Sequence, residues 1–333
     1  MTAAPASATM ADISNDFAWS WSRHKIFYDC ARKLYWQYYG SWGGWDEEAP
    51  EDAALAYRLK QLKSVSMLVG QTLHEVVRDR LRMRPAAGGA VPAQQIRDEV
   101  ERRVLKRMRE SRNRDWERYH DPKRYAILFE DYYGSGIDER QRDEALELVR
   151  DCTAGLASNI YARRAFGVAK ERLRMVDPDD FDAMRIVVDG IIVYACPDLV
   201  VADDAGDLHV VDWKTGRPEK ANVAQLAMYG LYVTERTGVP LERIVAHVVY
   251  VRYGEVEKHG NLRESVEEAR RRISTFTTDV RDRLTDVENN VAGDIDKFPM
   301  TENLMLCRRC QFQELCGRRQ AEPIAPADDE AES

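Results

Sequence analysis

Between Lys170 and Trp213 the chain is a series of short β-branched segments: Lys170 to Val176, Met184 to Val188, Ile191 to Val201 and Leu208 to Trp213. Turns such as Asp189-Gly190 and Asp204-Ala205-Gly206 separate them. β-Branched runs punctuated by tight turns predict successive strands. Most of the remaining sequence has helical spacing. Ser22 is expected to cap an aromatic-rich helix reaching about Tyr39. A Gly/Trp loop follows at Gly40 to Trp45, and Ala53 to about Met83 reads as one or two helices through Leu59, Leu62, Met67, Leu73 and Val77. The Pro/Gly/Ala stretch from Arg84 to Pro92 breaks that pattern. Further helices are expected from Ala93 to about Tyr119 and from Glu139 to Arg164, then, beyond the strands, from Lys220 to Thr237. A strand from Ile244 to Arg252 and a long helix from Arg263 to Asn289 complete the pattern. This order predicts an α/β fold, a central mixed sheet flanked by helices with a helical insertion over 85–164.

The strand region also carries the chemistry. Residues i and i+2 of a strand share a face, so Asp212 and Lys214 project together. The strand holding Asp198 is joined to theirs by the short turn at Asp203 to Asp207, which predicts a hairpin. Two carboxylates and one ammonium would then meet on one side of the sheet. Oxygen ligands suit Mg²⁺ or Mn²⁺, and a bound cation neutralises a phosphate and activates water. A D-x-K triplet alone reads more readily as a surface ion pair. The context shifts that balance. Val210-Val211 lead into Asp212, Thr215-Gly216 follow Lys214, and Gln225 and Tyr229 share a face of the next helix. His74 precedes Glu75, but Arg78 stands where a zinc-protease motif needs a second histidine.

No apolar run approaches the roughly 18 residues of a membrane span. Met1 to Asp12 lacks the basic start and apolar core of a secretory signal and reads as a disordered lead-in, so a cytoplasmic location is expected. The Pro- and Ala-rich end, 321–333, is acidic and reads as a disordered tail. The net charge of −8 argues weakly against nucleic acid. Lys and Arg nevertheless concentrate between Arg102 and Arg124, where Trp116 and Tyr119 are candidate stacking surfaces. The aromatic stripe from Tyr28 to Tyr39 reads as core.

Three of the six cysteines, Cys307, Cys310 and Cys316, crowd into ten residues. A compact C-x-x-C with a third thiol nearby reads as a soft-metal site, for zinc or an iron–sulfur cluster. Cys30 is a better fourth ligand than Cys152 or Cys196.

Taken together, these motifs resemble the RecB-like branch of the PD-(D/E)xK nucleases, of the Cas4 and AddB type. The matching residues are Gly70 and His74 (G-x-x-x-H), Asp198, Asp212-Trp213-Lys214-Thr215-Gly216 (similar to D-Y-K-T-G) and Gln225 with Tyr229 (Q-x-x-x-Y), in the family's order. The resemblance implies a restriction-endonuclease-like core over 13–320. It implies that His74, Asp198 and Asp212 hold Mg²⁺ or Mn²⁺, that Lys214 is catalytic, and that Gln225 and Tyr229 support the site and contact DNA. Glu171 resembles a recurrent family glutamate. Cys30, Cys307, Cys310 and Cys316 would hold a structural [4Fe–4S] cluster, with the late cysteines in 300–320. Ala195 stands where the family commonly has glycine, and Ala31 where it often has proline. The implied activity is an exonuclease acting on single strands or DNA ends. Its protein partners would belong to repair, phage replication or CRISPR adaptation. Other readings are a structure-selective endonuclease of the same fold and a nuclease-like DNA-binding scaffold, the last disfavoured by the intact Asp198, Asp212 and Lys214.

Overall fold

The computed structural model describes residues 14–176, 182–218 and 223–318. The predicted lead-in at 1–12, the tail at 321–333 and the predicted helix start at Lys220 lie outside the described residues. The chain begins with strand β1 (Ala18–Trp19), helix α1 (Trp21–Asp29), helix α2 (Ala31–Tyr35) and one turn of π-helix, Trp36–Gly40. This corrects the single helix expected from Ser22. The cap is Ser20, which accepts the N–H of Arg23, and the helix breaks at Cys30, whose backbone is extended. The Cys30 sulfur there accepts a hydrogen bond from the backbone of Thr301, a tertiary contact that no local pattern encodes.

Helix α3 (Glu51–Leu59), strand β2 (Leu62–Lys63) and helix α4 (Val65–Met83) follow. Then come α5 (Ala93–Arg112), α6 (Asp115–Arg118), β3 (Ile127–Leu128), α7 (Phe129–Tyr132), α8 (Glu139–Ser158) and α9 (Ile160–Gly167). Ser64 caps α4, and Asp138 with Gln141 form a reciprocal capping box on α8, satisfying amides that a helix start leaves orphaned. The expected helix to Tyr119 is cut at Arg112, because Arg114 adopts a left-handed backbone conformation.

The strands are β4 (Leu173–Val176), β5 (Arg185–Val188), β6 (Ile191–Tyr194), β7 (Leu199–Ala202) and β8 (Leu208–Lys214). The run expected from Ile191 to Val201 is therefore two strands in two different sheets, with 195–198 crossing between them. Helix α10 (Val223–Thr237), strands β9 (Ile244–Tyr250) and β10 (Glu255–His259) and helix α11 (Arg263–Arg281) come next. The last helix stops short of the expected Asn289 and gives way to a small hairpin, β11 (Leu284–Asp286) and β12 (Val291–Ala292); α12 (Leu304–Arg308) is the final element.

The principal sheet is mixed, in the order β10-β9-β8-β7-β4, with β8 and β9 parallel and the other pairs antiparallel. β7 is buried at every position, as a strand covered on both faces must be. A second sheet, β1-β6-β5, closes on the two-residue turn Asp189-Gly190, both with positive φ. One core joins this sheet, α10 and α11 to the Leu208/Val210 face of β8. The other packs α4, α5, α8 and α9 against its Val211/Trp213 face. A third cluster gathers Trp36, Leu59, Trp116 and Phe312 near the cysteine segment. Trp116 is thus core and not a stacking surface, whereas Tyr119 is exposed and stacks on Tyr125.

Helix α8 approaches the sheet closely at Gly155: a Cβ there would fall on the carbonyl oxygen of Val251, immediately beyond β9. Gly155→Ala should therefore destabilise the fold by about 1–3 kcal/mol, although alanine is the better helix former by about 1 kcal/mol. A denaturant midpoint at or above that of the wild type would show that the helix can move aside.

Candidate active site

Strand β8 turns Asp212 and Lys214 to the face that carries Leu208 and Val210. In the β7–β8 ladder Leu199 stands opposite Val211. Asp198, one residue before β7, is thereby brought level with Asp212. Its Oδ1 lies 3.0 Å from His74 Nδ1, and its Oδ2 accepts the backbone N–H of Trp213 at 2.7 Å. Asp212 Oδ1 accepts the Tyr229 hydroxyl at 3.2 Å, and that hydroxyl accepts Gln225 Nε2 at 2.7 Å. Asp212 Oδ2 is 2.7 Å from Lys214 Nζ. The approach lacks hydrogen-bond alignment, so this oxygen is buried with no hydrogen-bond partner.

The electrostatics follow from two carboxylates sharing a desolvated corner. Burial, and then the charge of Asp198, raise the Asp212 carboxyl above its ordinary range. Burial also pushes Asp198 up, but the charge and hydrogen bond of His74, with the Trp213 N–H, outweigh it and leave Asp198 lowered. Burial works against the charged forms of His74 and Lys214, yet the facing carboxylates hold both raised. Tyr229 is raised well above its usual value by burial and then by Asp212. Among the described residues no group of three or more His, Cys, Asp or Glu converges as a ready-made metal cage. The donor set still suits a hard divalent cation: two carboxylates, one with a buried oxygen lacking any hydrogen bond, beside an imidazole.

Close packing brings His74 here. A Cβ at Gly70, one turn before His74, would sit 2.9 Å from Thr215 Oγ1, so glycine lets α4 approach the end of β8. Beside Lys214, Gln225 and Tyr229 opens a cleft of about 680 Å³ whose walls include Trp21, Arg23, Lys25, Tyr38 and Tyr194. Sequence patterns did not point to this wall. Tyr38, expected in the core with the aromatic stripe, is half-buried and lines the cleft as well. The Trp213 amide was equally illegible, because main-chain donors leave no trace in residue types. Glu171 is not brought to the cluster. It is exposed in a turn before β4, near Arg84, and the far end of β4, at Val176, is the end opposite Leu199.

None of the six cysteines is in a disulfide. Cys310 lies within electrostatic reach of Cys30, Cys307 and Cys316, and Cys316 within reach of Cys30. Burial first, and neighbouring sulfurs further, raise the Cys310 and Cys316 thiols, Cys316 to about 11. N–H groups point at three of the sulfurs: Thr301 to Cys30 and Phe312 to Cys310, each at 3.4 Å, and the Arg318 guanidinium to Cys307 at 3.0 Å.

Paired carboxylates and an ammonium at the ends of neighbouring strands, with an imidazole from α4 beside them, are the groups that cation-assisted phosphodiester hydrolysis uses. The chain belongs to the PD-(D/E)XK nuclease superfamily, whose family model matches residues 18–317. That superfamily hydrolyses phosphodiesters and usually uses Mg²⁺ or Mn²⁺. No curated protein matches the chain. No helix among the described residues is long and apolar enough to cross a membrane.

Tyr229→Phe removes the hydroxyl that fixes Asp212 and leaves Gln225 without its acceptor. Nuclease kcat/KM should fall about 10- to 100-fold, as is common when the partner of a metal-site carboxylate is removed, with stability changed by about 1 kcal/mol. Wild-type kinetics in this variant would make the hydroxyl a bystander.

Proposed function

We propose that the protein is a metal-dependent deoxyribonuclease acting on single-stranded DNA or DNA ends, most consistent with an exonuclease. The observation that carries this reading is the linked set His74–Asp198 and Asp212–Lys214, whose Lys214 and Tyr229 open on a cleft walled by aromatic and cationic side chains. Aromatic faces accept any base and cations accept the backbone, the combination that single strands need.

In this reading His74, Asp198 and Asp212 hold Mg²⁺ or Mn²⁺, which supplies charge neutralisation and an acidified water when bound. Asp212 is oriented by the Tyr229 hydroxyl, itself steadied by Gln225. Asp198 is oriented by the Trp213 amide. Lys214 places its ammonium where negative charge grows on the phosphate. Glu171, remote from the cluster, has no part in it. The segment 85–164 is the insertion that builds the α5/α8 layer behind the sheet. Any assembly with repair, replication or CRISPR proteins would have this nuclease as its cutting subunit.

We also assign Cys30, Cys307, Cys310 and Cys316 to a structural [4Fe–4S] cluster. Support comes from the position of Cys310 within reach of the other three thiols and from the N–H groups aimed at three of the four, a pattern that stabilises thiolate sulfur. Bound there, the cluster would supply a cross-link between the two ends of the chain.

Asp212→Ala and Lys214→Ala should each lower Mg²⁺- or Mn²⁺-dependent cleavage of end-labelled single-stranded DNA by at least about 10³-fold, with binding in EDTA retained. A circular single strand should resist the wild type. Near-normal cleavage by Asp212→Ala would sink the active-site assignment, and rapid cutting of the circle would make the enzyme an endonuclease.

Protein purified without oxygen should contain about four iron and four sulfide per chain, and Cys316→Ser should lose both and melt lower. Stoichiometric zinc without sulfide would replace the cluster with a zinc knuckle.

A further inference from the structure

Helix α4, which carries His74, also borders a second and smaller cavity. It measures about 100 Å³ and is lined by Gln61, Lys63 and Gln71 on one side and by Arg107, Lys123 and Arg124 on the other. Four of those side chains are cationic and the lining contains no carboxylate. The volume is enough for a tetrahedral oxyanion.

The charges are only partly compensated. Arg107 is held from behind by Thr72 Oγ1 at 2.9 Å and by Glu75 at 2.7 Å. Lys63 Nζ donates to the neutral Gln71 Oε1 at 2.5 Å, and Gln71 passes its own N–H to Glu75 at 2.9 Å. Lys63 is half-buried, and burial, followed by the neighbouring Arg107, lowers its ammonium from the ordinary value. Lys123 and Arg124 are exposed and have no acidic side-chain partner among the described residues. Lys123 adds to the burial that pushes nearby Lys60 down to about 8. Among the described residues Glu75 is the one carboxylate that answers Lys63 and Arg107, so four cations meet at a hollow with one facing anion, and an oxyanion there would gain charge-assisted hydrogen bonds.

We propose that this cavity is a phosphate subsite, occupied by one phosphate group of the DNA strand that the active site cuts. The oxyanion chemistry stands by itself; that the phosphate belongs to DNA rests on the nuclease reading. The subsite is wired to the active-site helix, since Glu75, which anchors both Arg107 and Gln71, adjoins His74 in the chain. A phosphate seated there fixes the strand relative to the candidate metal ligand. The group is either a terminal 5′-monoester or an internal phosphodiester, and both present anionic non-bridging oxygens, three in the monoester and two in the diester.

The test is binding in EDTA of a 3′-labelled single-stranded oligonucleotide, with and without a 5′-phosphate, over a series of salt concentrations. The wild type is compared with Lys123→Gln/Arg124→Gln, an exposed pair whose melting temperature should stay unchanged. Lys63→Gln serves as an independent variant. As a control for net charge, Arg263→Gln/Arg271→Gln neutralises two exposed arginines of α11. Both subsite variants should bind about tenfold more weakly, and the slope of log affinity against log salt should be shallower by about 0.7 for each phosphate no longer neutralised. The control should match the wild type. A wild-type preference for the 5′-phosphorylated strand that the variants lack identifies the terminal monoester; an equal weakening on both strands identifies an internal phosphodiester. Unchanged affinity and slope in the subsite variants, or an equal weakening in the control, overturns the proposal. If the wild type still cleaves DNA in Mg²⁺, the nuclease reading survives that outcome. A wild type that binds no DNA overturns both.

Discussion

Two carboxylates placed side by side in a desolvated corner are the constraint around which the site is organised. At about 4 Å and an effective dielectric of about 20, two like charges repel by roughly 4 kcal/mol. The ladder that pairs Leu199 with Val211 makes that juxtaposition unavoidable, because the residues one step further are Asp198 and Asp212. Each polar neighbour answers it. His74 and the Trp213 amide serve Asp198, and Lys214 and the Tyr229 hydroxyl serve Asp212. One oxygen of Asp212 still has no hydrogen bond. Its close neighbour is the Lys214 ammonium at 2.7 Å, so an opposite charge and not an aligned donor holds it.

The same corner dictates how tightly the helices must pack. α4 carries glycine where it passes the Thr215 hydroxyl, one turn before His74 reaches Asp198. On the same side of the sheet α8 comes down on Val251, whose amide donates to the carbonyl of Lys214. The strand end that presents the lysine is thus held from behind by a helix that could not bear a side chain at Gly155. The residues responsible, Gly70 and Gly155, make no polar contact with the site and act through distance alone.

How much was legible in the sequence depended on whether the signal was local. The D-x-K triplet, the Asp189-Gly190 turn and the α10 pair Gln225 and Tyr229 are periodic or short-range features, and reading them gave strand, hairpin and shared helix face. The α/β class with a mixed sheet flanked by helices followed from the element order. Boundaries set by tertiary contact were misread. The helix expected from Ser22 to Tyr39 breaks at Cys30 where Thr301 meets it, and the run from Ile191 to Val201 changes sheets at 195–198. Glu171 was singled out by position relative to a strand, but the direction of that strand in the sheet carries it away from Asp198. The cationic cavity at Lys63 and Arg107 was invisible because its lining comes from three segments that are not adjacent in sequence, 61–71, 107 and 122–128.

The two ends of the chain bear on the site through the cleft wall. Trp19, Trp21, Arg23 and Lys25 form one side of the cleft, and 194–196, Lys214 and Gln225 form another. Two backbone-anchored ties fix the first side against the second. One is the short parallel pairing of Ala18 and Trp19 with β6. The other joins the α1–α2 junction to the C-terminal segment. There Arg32 donates through its backbone to Pro299 and through its guanidinium to Phe298, and Thr301 donates to Cys30. A two-residue ladder is marginal by itself; the second tie supports it, as does the burial of Trp19, Phe27 and Leu34 in the core shared with α10 and α11. These contacts set how far the aromatic and cationic wall stands from Lys214.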